Sequence, residues 1–330
     1  MGLKLGILGA GHFGRFHTLK AVKSSQAGAA AGQVEFLGLA DASPERAAQV
    51  AAEAGTRVWQ TAELIAAADA LIIAAPTAFH FELAEAALKA GKHVFVEKPI
   101  AATLEQADAL VALAAQVGRT LQVGHVERFG AGFATLLSSA GVGRPLYMEA
   151  VRIAPFRPRG LDVSVVLDLM IHDLDLVISL AGGAVEDVQA VGTAVESDRV
   201  DIANARLRFA GGAQATITAS RASLKMERRL RVFGTEGYAS IDFLARELKL
   251  VRKGQGASLE QLPSHGLETL SWTDHDNLEA EQAAFVHSCL TGSPAVVDGR
   301  AGRAALDAAL RVEAAIGASL AAAGLPSGAV

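Results

Sequence analysis

With 330 residues, 51% of them hydrophobic and 20% charged, the chain is long enough for two globular domains with a sizeable core, and its composition excludes a disordered chain. A net charge of −5 with no basic arm argues against nucleic-acid binding, and one cysteine, Cys289, excludes an intramolecular disulfide framework. The apolar stretch after Met1 is short and broken by Gly6 and Gly9, and no uncharged apolar run approaches the roughly 18 residues of a membrane span, so the expected location is cytoplasmic, without a membrane partner.

The first predicted strand runs from Leu5 into Gly9-Ala10-Gly11-His12-Phe13-Gly14, and a helix follows from Arg15 to Lys23. Between a strand and a helix, G-x-G-x-x-G has a physical reading as a dinucleotide turn. Gly9 permits the tight bend, Gly11 lets main-chain N–H groups approach a pyrophosphate, and Gly14 lets the helix pack on the strand. An ordinary glycine turn is the alternative. After an Ala/Gly-rich connection, Ser24 to Gln33, a second strand from Val34 to Ala40 ends at Asp41. A carboxylate there bonds an adenosine ribose and repels a 2′-phosphate, which favours NAD; Arg46, one turn into the next helix, leaves NADP open. Asp41-Ala42-Ser43-Pro44 also reads as turn chemistry, with Ser43 as N-cap and Pro44 in the first turn.

Leu71 to Ala75 is a strand apolar on both faces, and His93 to Val96 is another that ends in Glu97-Lys98-Pro99. Lys98 places a cation at the end of a buried strand, where such sheets bind ligands; a lysine reaching for solvent is the plainer reading. Lys98-Pro99 is a place for a cis peptide bond, which the sequence leaves open. Thr103 and Gln106 form a capping box before a helix from Leu104 to Ala115, and Thr120 to Val123 closes the alternating pattern. Residues 1–122 thus read as an α/β domain with a doubly wound parallel sheet, and residues 123–330 as a second domain.

The second domain has α+β grammar. Helical character from Asp168 to Leu180 precedes strands at Asn204 to Phe209, Ala213 to Ala219, Leu230 to Phe233 and Tyr238 to Phe243, expected to form a largely antiparallel sheet. Asp168 and His172 are spaced i, i+4, so on a helix they share a face and can act on one small molecule; a dipole-favoured acid and a core histidine are the alternative. Arg252 to Gly266 reads as a surface loop, and Arg300 to Ala322 as a helix free to pack back on the first domain. Arg128 and the cluster Arg152, Arg157 and Arg159 flank the Asp168 segment. They either solvate the surface or pair with phosphate or carboxylate. Cys289 sits in a helical context as an inert thiol, and the nine histidines show no metal-ligand spacing, so no metal is expected.

Taken in order, the glycine turn, Pro76-Thr77-Ala78-Phe79-His80, Glu97-Lys98-Pro99, the Asp168/His172 pair and Phe233-Gly234-Thr235-Glu236-Gly237 resemble the glucose-fructose oxidoreductase, inositol dehydrogenase and rhizopine catabolism (Gfo/Idh/MocA) family over nearly the whole chain. The resemblance implies an N-terminal Rossmann domain, a C-terminal open sheet whose exposed face supports a dimer or tetramer, and NAD(P)-dependent oxidation of a secondary hydroxyl on a sugar or cyclitol. It implies His172 as base, Lys98 on the reacting oxygen and Asp168 beside the base. It further implies Ala75, Pro76, Thr77, His80 and Glu97, with His12 and Phe13 of the turn, around the cofactor. Within the family, Gly124 to Phe129, Val165 to Asp173 and Ser220-Arg221 are most similar to the UDP-N-acetylglucosamine 3-dehydrogenase-like branch, with Arg128, Arg157 and Arg159 on the substrate. A free-sugar or inositol dehydrogenase, a redox-assisted glycosidase and a ligand-sensing regulator are the alternatives on this fold.

Overall fold

In the computed structural model, residues 2–26, 33–138, 141–157, 163–260, 262–273 and 275–325 are described. The described chain divides into two compact units, residues 1–129 with 276–306, and residues 130–275 with 307–330. The expected cut after residue 122 therefore lies a few residues before this division, and the segment 276–306 groups with the first unit.

In chain order the first unit contains β1 (Leu3–Leu8), α1 (His12–Gln26), β2 (Val34–Ala40), α2 (Pro44–Ala54), α3 (Thr61–Ala67), β3 (Ala70–Ile73), α4 (His80–Lys89), β4 (His93–Glu97), α5 (Leu104–Val117) and β5 (Leu121–Gly124). The second contributes α6 (Ala131–Ser138), β6 (Pro145–Ile153), α7 (Ile171–Ala181), β7 (Val185–Thr193), β8 (Ile202–Phe209), β9 (Gln214–Ser220), β10 (Glu227–Gly234), β11 (Gly237–Asp242), β12 (Glu247–Lys253), β13 (Ala257–Leu259) and β14 (Leu262–Ser271). The chain then returns to the first unit as α8 (Asn277–Thr291) and ends in α9 (Gly299–Ala322), whose residues are divided between the units.

All five strands of the first sheet are parallel, in the order β2-β1-β3-β4-β5. Each edge is closed by one short bridge, Leu39 to Val58 outside β2 and Gln122 to Asp298 outside β5. Beside the outer β2 edge, the Trp59 indole donates to the Leu37 carbonyl at 2.8 Å, which occupies an acceptor that another chain would otherwise find. The strands are apolar on both faces because helices cover both. Leu5, Ile7, Leu39, Ile72 and Phe95 form the core with Phe285 of α8, whose ring meets that of Phe95 edge-on at 5.8 Å. The capping signals hold: Ser43 Oγ accepts from Arg46 N–H at 3.3 Å, and Thr103 Oγ accepts from Gln106 N–H at 3.3 Å.

The second sheet has nine strands in the order β13-β14-β12-β11-β10-β6-β9-β8-β7, antiparallel except for β6 beside β9. Alternation fixes its faces: on β8, Ala203, Ala205, Leu207 and Phe209 are buried while Ile202, Asn204, Arg206 and Arg208 point outward. α7 lies against β6 and β9. The fold is thus the expected α/β chain with a Rossmann sheet and an open, largely antiparallel second sheet. Two local expectations fail. Arg252 to Gly266 is not a plain loop, because β13 and the first half of β14 pair there as an edge hairpin whose exposed residues carry little apolar alternation. Ser24 to Gln26 extend α1 and do not open the connection; residues 27–32 lie outside the described residues.

Candidate active site

A parallel sheet wound in two directions leaves a crevice outside the carboxyl ends of its strands where the order reverses, here between β1 and β3. The cofactor and catalytic candidates of the first unit, and Arg128 with them, lie at or follow the carboxyl ends of its strands. The glycine turn follows β1, Asp41 follows β2, Ala75, Pro76 and Thr77 follow β3, Lys98 follows β4, and Arg128 sits in a short turn, Val126–Phe129, after β5.

The three glycines of the turn do different work. Gly9 has φ +114, and a Cβ there would lie 2.8 Å from Ala75 N. A Cβ on Gly14 would enter the Gly9 carbonyl, so α1 could not sit so close to β1. At Gly11 a Cβ would meet nothing within 4 Å. Packing within the protein therefore does not explain glycine there, whereas the approach of a phosphate does. The first N–H groups of α1 have no intrahelical acceptor and carry the positive end of its dipole, so this cradle fits the pyrophosphate of a dinucleotide. His12 and Phe13 stand exposed beside it, their rings edge-on at 5.6 Å.

Asp41 braces the turn. Its Oδ2 accepts the Ala10 N–H at 2.6 Å, and its Oδ1 accepts from Ser43 N–H at 2.7 Å and Arg46 Nη2 at 3.0 Å. Burial raises the carboxyl pKa, but the Ser43 and Ala10 N–H groups and the Arg46 guanidinium outweigh it and hold Asp41 below the usual carboxylate range. The half-buried carboxylate is thus charged and held in one orientation at the end of β2, beside the glycine turn.

Behind this surface, His80 and Glu97 are buried. His80 Nδ1 lies 2.8 Å from the Pro99 carbonyl and Nε2 lies 2.8 Å from the Ala75 carbonyl. It ties the loop after β3 to the loop after β4 and does not face outward. Burial lowers its pKa, against the two carbonyls and Glu97, which raise it. Lys98 itself is half-buried, and Lys98-Pro99 is cis.

In the second unit, Asp168 and His172 are both half-buried, but the helix carrying them is not uniform. Val166–Met170 is a π-turn that follows an α-helical Val165, and the regular α-helix runs from Ile171. Four α-helical steps overshoot a full turn by about 40°. A π-turn winds less per residue and takes up that overshoot, which brings Asp168 more nearly above His172.

Two buried ion pairs anchor this segment. Arg152 of β6 holds Asp173, the neighbour of His172, bidentately at 2.8 and 3.0 Å. Arg221 Nε donates to Asp201 at 2.8 Å while its Nη1 reaches the Val163 carbonyl at 2.9 Å, just before the π-turn. Arg152, which the sequence groups with arginines that either solvate the surface or pair with an anion, is instead built into the fold: it is 4% exposed and its fork is taken by Asp173. Arg157 is exposed, Arg128 is half-buried, and Arg159 lies outside the described residues. Burial pushes the Cys289 thiol up to about 12, as suits an inert side chain. Among the described residues, no group of three or more His, Cys, Asp or Glu could hold a metal, and no helix is long and apolar enough to cross a membrane.

A Rossmann sheet with this cradle fits a dinucleotide-binding protein, and the comparisons supply the class. Residues 3–125 match the oxidoreductase family GFO/IDH/MocA, NAD-binding Rossmann fold, and residues 135–240 match the GFO/IDH/MocA C-terminal domain. The chain is 40% identical over 319 residues to UDP-N-acetylglucosamine 3-dehydrogenase of Acidithiobacillus ferrooxidans, covering 96% of this chain and 98% of the relative. The solved structure of an enzyme of that name from the same organism superposes with a TM-score of 0.88 at 39% identity, covering 96% and 98% of the two chains. Inositol 2-dehydrogenase of Rhizobium meliloti is 30% identical, covering 94% and 97%. The chain therefore belongs to the GFO/IDH/MocA oxidoreductase family and is an NAD-dependent dehydrogenase.

Proposed function

We propose that the protein oxidises a ring hydroxyl of a nucleotide sugar, UDP-N-acetylglucosamine to its 3-keto form. The observation that carries this reading is the 40% identity, over 96% of the chain, to a relative of that name, against 30% to the inositol enzyme. Bound NAD supplies the hydride acceptor. His172 takes the hydroxyl proton on a ring nitrogen, and Asp168 supports the resulting charge. Lys98 holds the reacting oxygen and favours its developing negative charge. Gly9, Gly11, His12, Phe13, Gly14, Asp41, Ala75, Pro76 and Thr77 form the cofactor surface, with His80 and Glu97 supporting it from behind. Arg128, Arg157 and Arg159 pair with the substrate diphosphate, an anion that free inositol or hexose lacks. Asp41 selects NAD over NADP. The protein works in the cytoplasm as a homo-oligomer through the outward face of the second sheet, and sedimentation reads that state.

The test is kcat/KM with NAD for UDP-N-acetylglucosamine, free hexoses and myo-inositol, with borodeuteride trapping to locate the new carbonyl. Turnover confined to the uncharged polyols refutes the nucleotide-sugar reading, and a deuterium at a carbon other than C3 refutes the position.

A further inference from the structure

Behind Lys98 lies a chain of buried polar groups that hydride transfer does not use. The Glu97 side chain, 7% exposed, turns inward at the end of β4. Its Oε1 lies 2.8 Å from His17 Nε2, and its Oε2 accepts the main-chain N–H of Lys98 at 3.2 Å. His17 is fully buried in α1, three residues after Gly14. The side-chain amide of Gln282, from α8, approaches His17 Nδ1 at 2.7 Å and donates to the His17 carbonyl at 3.1 Å. An amide nitrogen has only protons to give, so Nδ1 accepts. The ring proton then sits on Nε2 and is donated to Glu97.

The surroundings protect this arrangement. A Cβ at position 124, opposite Glu97 on β5, would lie 2.8 Å from Glu97 Oε2, so only glycine leaves the carboxylate its place. The His17 ring also packs edge-on against Phe95 at 5.2 Å, which fixes its plane.

We infer that Gln282, His17 and Glu97 form a positioning relay that fixes Lys98 relative to the glycine turn; the inference rests on the reading of Lys98 as the group that holds the reacting oxygen. The middle of the relay, His17, lies in α1, the helix whose start forms the phosphate cradle, and one end, Gln282, lies in α8. The other end holds the main chain of Lys98. The links from Gln282 to His17 and from His17 to Glu97 join buried groups and are costly to leave unmade, and the link to the Lys98 N–H is part-buried. The relay thus registers the cation against the cofactor cradle, and a displacement of about 1 Å at such a place costs on the order of 10² in rate.

The test uses the full chain saturated with NAD. His17→Leu keeps the volume and loses both ring hydrogen bonds, whereas His17→Gln can still present an N–H toward Glu97. The first readout is the rate at which acetic anhydride acylates Lys98, measured by peptide mass spectrometry against the exposed Lys253. It needs no substrate. The second is kcat and KM for NAD with UDP-N-acetylglucosamine. In His17→Leu the relative labelling of Lys98 changes by about threefold or more and kcat falls by about tenfold or more, while KM for NAD moves less than about threefold; His17→Gln recovers most of both. Gln282→Met, which leaves Glu97 its partner but releases the imidazole, gives the same direction at smaller size and serves where His17→Leu does not fold. Lys98 labelling unchanged in both apolar variants, or His17→Gln no better than His17→Leu, overturns the relay. Undiminished turnover in Lys98→Ala instead refutes the role of Lys98, and the relay's purpose with it.

Discussion

Asp201→Asn tests whether the second unit's buried charge pair holds the segment that carries His172. Asp201 is fully buried, and its Oδ2 accepts three main-chain N–H groups, from Val195, Glu196 and Ser197, at 2.9, 2.8 and 2.9 Å. Its Oδ1 accepts from Ser197 Oγ at 2.7 Å and Arg221 Nε at 2.8 Å. Asparagine has the same shape but one acceptor oxygen. Turned to keep the three N–H bonds, it presents its amide protons to the Arg221 guanidinium, donor against donor. Breaking a buried pair in this way costs about 3–5 kcal/mol. For a unit of this size that is a fall in Tm of about 6–20 °C, read by circular dichroism at neutral pH. The pH dependence has a definite sign. Burial raises the Asp201 pKa, but Ser197, Arg221 and the N–H groups lower it more, so the folded carboxyl lies below its ordinary value. Its contribution is complete above the unfolded pKa of about 3.9 and is lost as pH falls through the folded value. The gap between wild type and variant is therefore constant near neutrality and narrows in acid. A Tm within about 2 °C of wild type at pH 7, or a gap that persists undiminished in acid, refutes the reasoning.

Three further expectations follow from the site. His172→Ala and Lys98→Ala each lower kcat by about 10² or more with the dissociation constant for NAD little changed, measured by steady-state kinetics and fluorescence titration of NADH. Asp41→Ser narrows the preference for NAD over NADP, but because Oδ2 also holds the Ala10 N–H, NAD binding weakens more than NADP binding improves; a titration of both dinucleotides checks the sign. Arg157→Ala raises KM for the UDP-sugar and flattens its salt dependence, whereas Arg152→Met acts on stability and on kcat through Asp173 and leaves the salt dependence as it was.

The parts of the candidate site that the sequence makes legible are those whose physics is local. The glycine turn, Asp41, Lys98-Pro99 and the Asp168/His172 spacing each announce themselves within a few residues, because a turn, a cap or a helical face is set by near neighbours. The partners that hold them are not local. Nothing near Glu97 points to His17, 80 positions away, nor near His17 to Gln282, 265 away, and a buried histidine or glutamine has no pattern of its own. Arg152 shows the opposite error. A cluster of arginines in sequence reads as one surface, yet alternation on β6 turns Arg152 to the buried side. The π-turn was also hidden, since an apolar segment with acids looks the same whether its hydrogen bonds run to i−4 or i−5.

The contribution of α8 to the first unit has a consequence for how the protein is made. Phe285 completes the apolar core and Gln282 completes the bond to His17, yet both are translated only after the whole segment from Gly130 to His275. At about 5–20 residues per second, the nascent Rossmann sheet waits on the order of ten seconds without the Phe285 ring against Phe95 and with His17 lacking its amide partner. The first unit is therefore completed only after the second has been synthesised, although most of its strands and helices precede that segment in the chain.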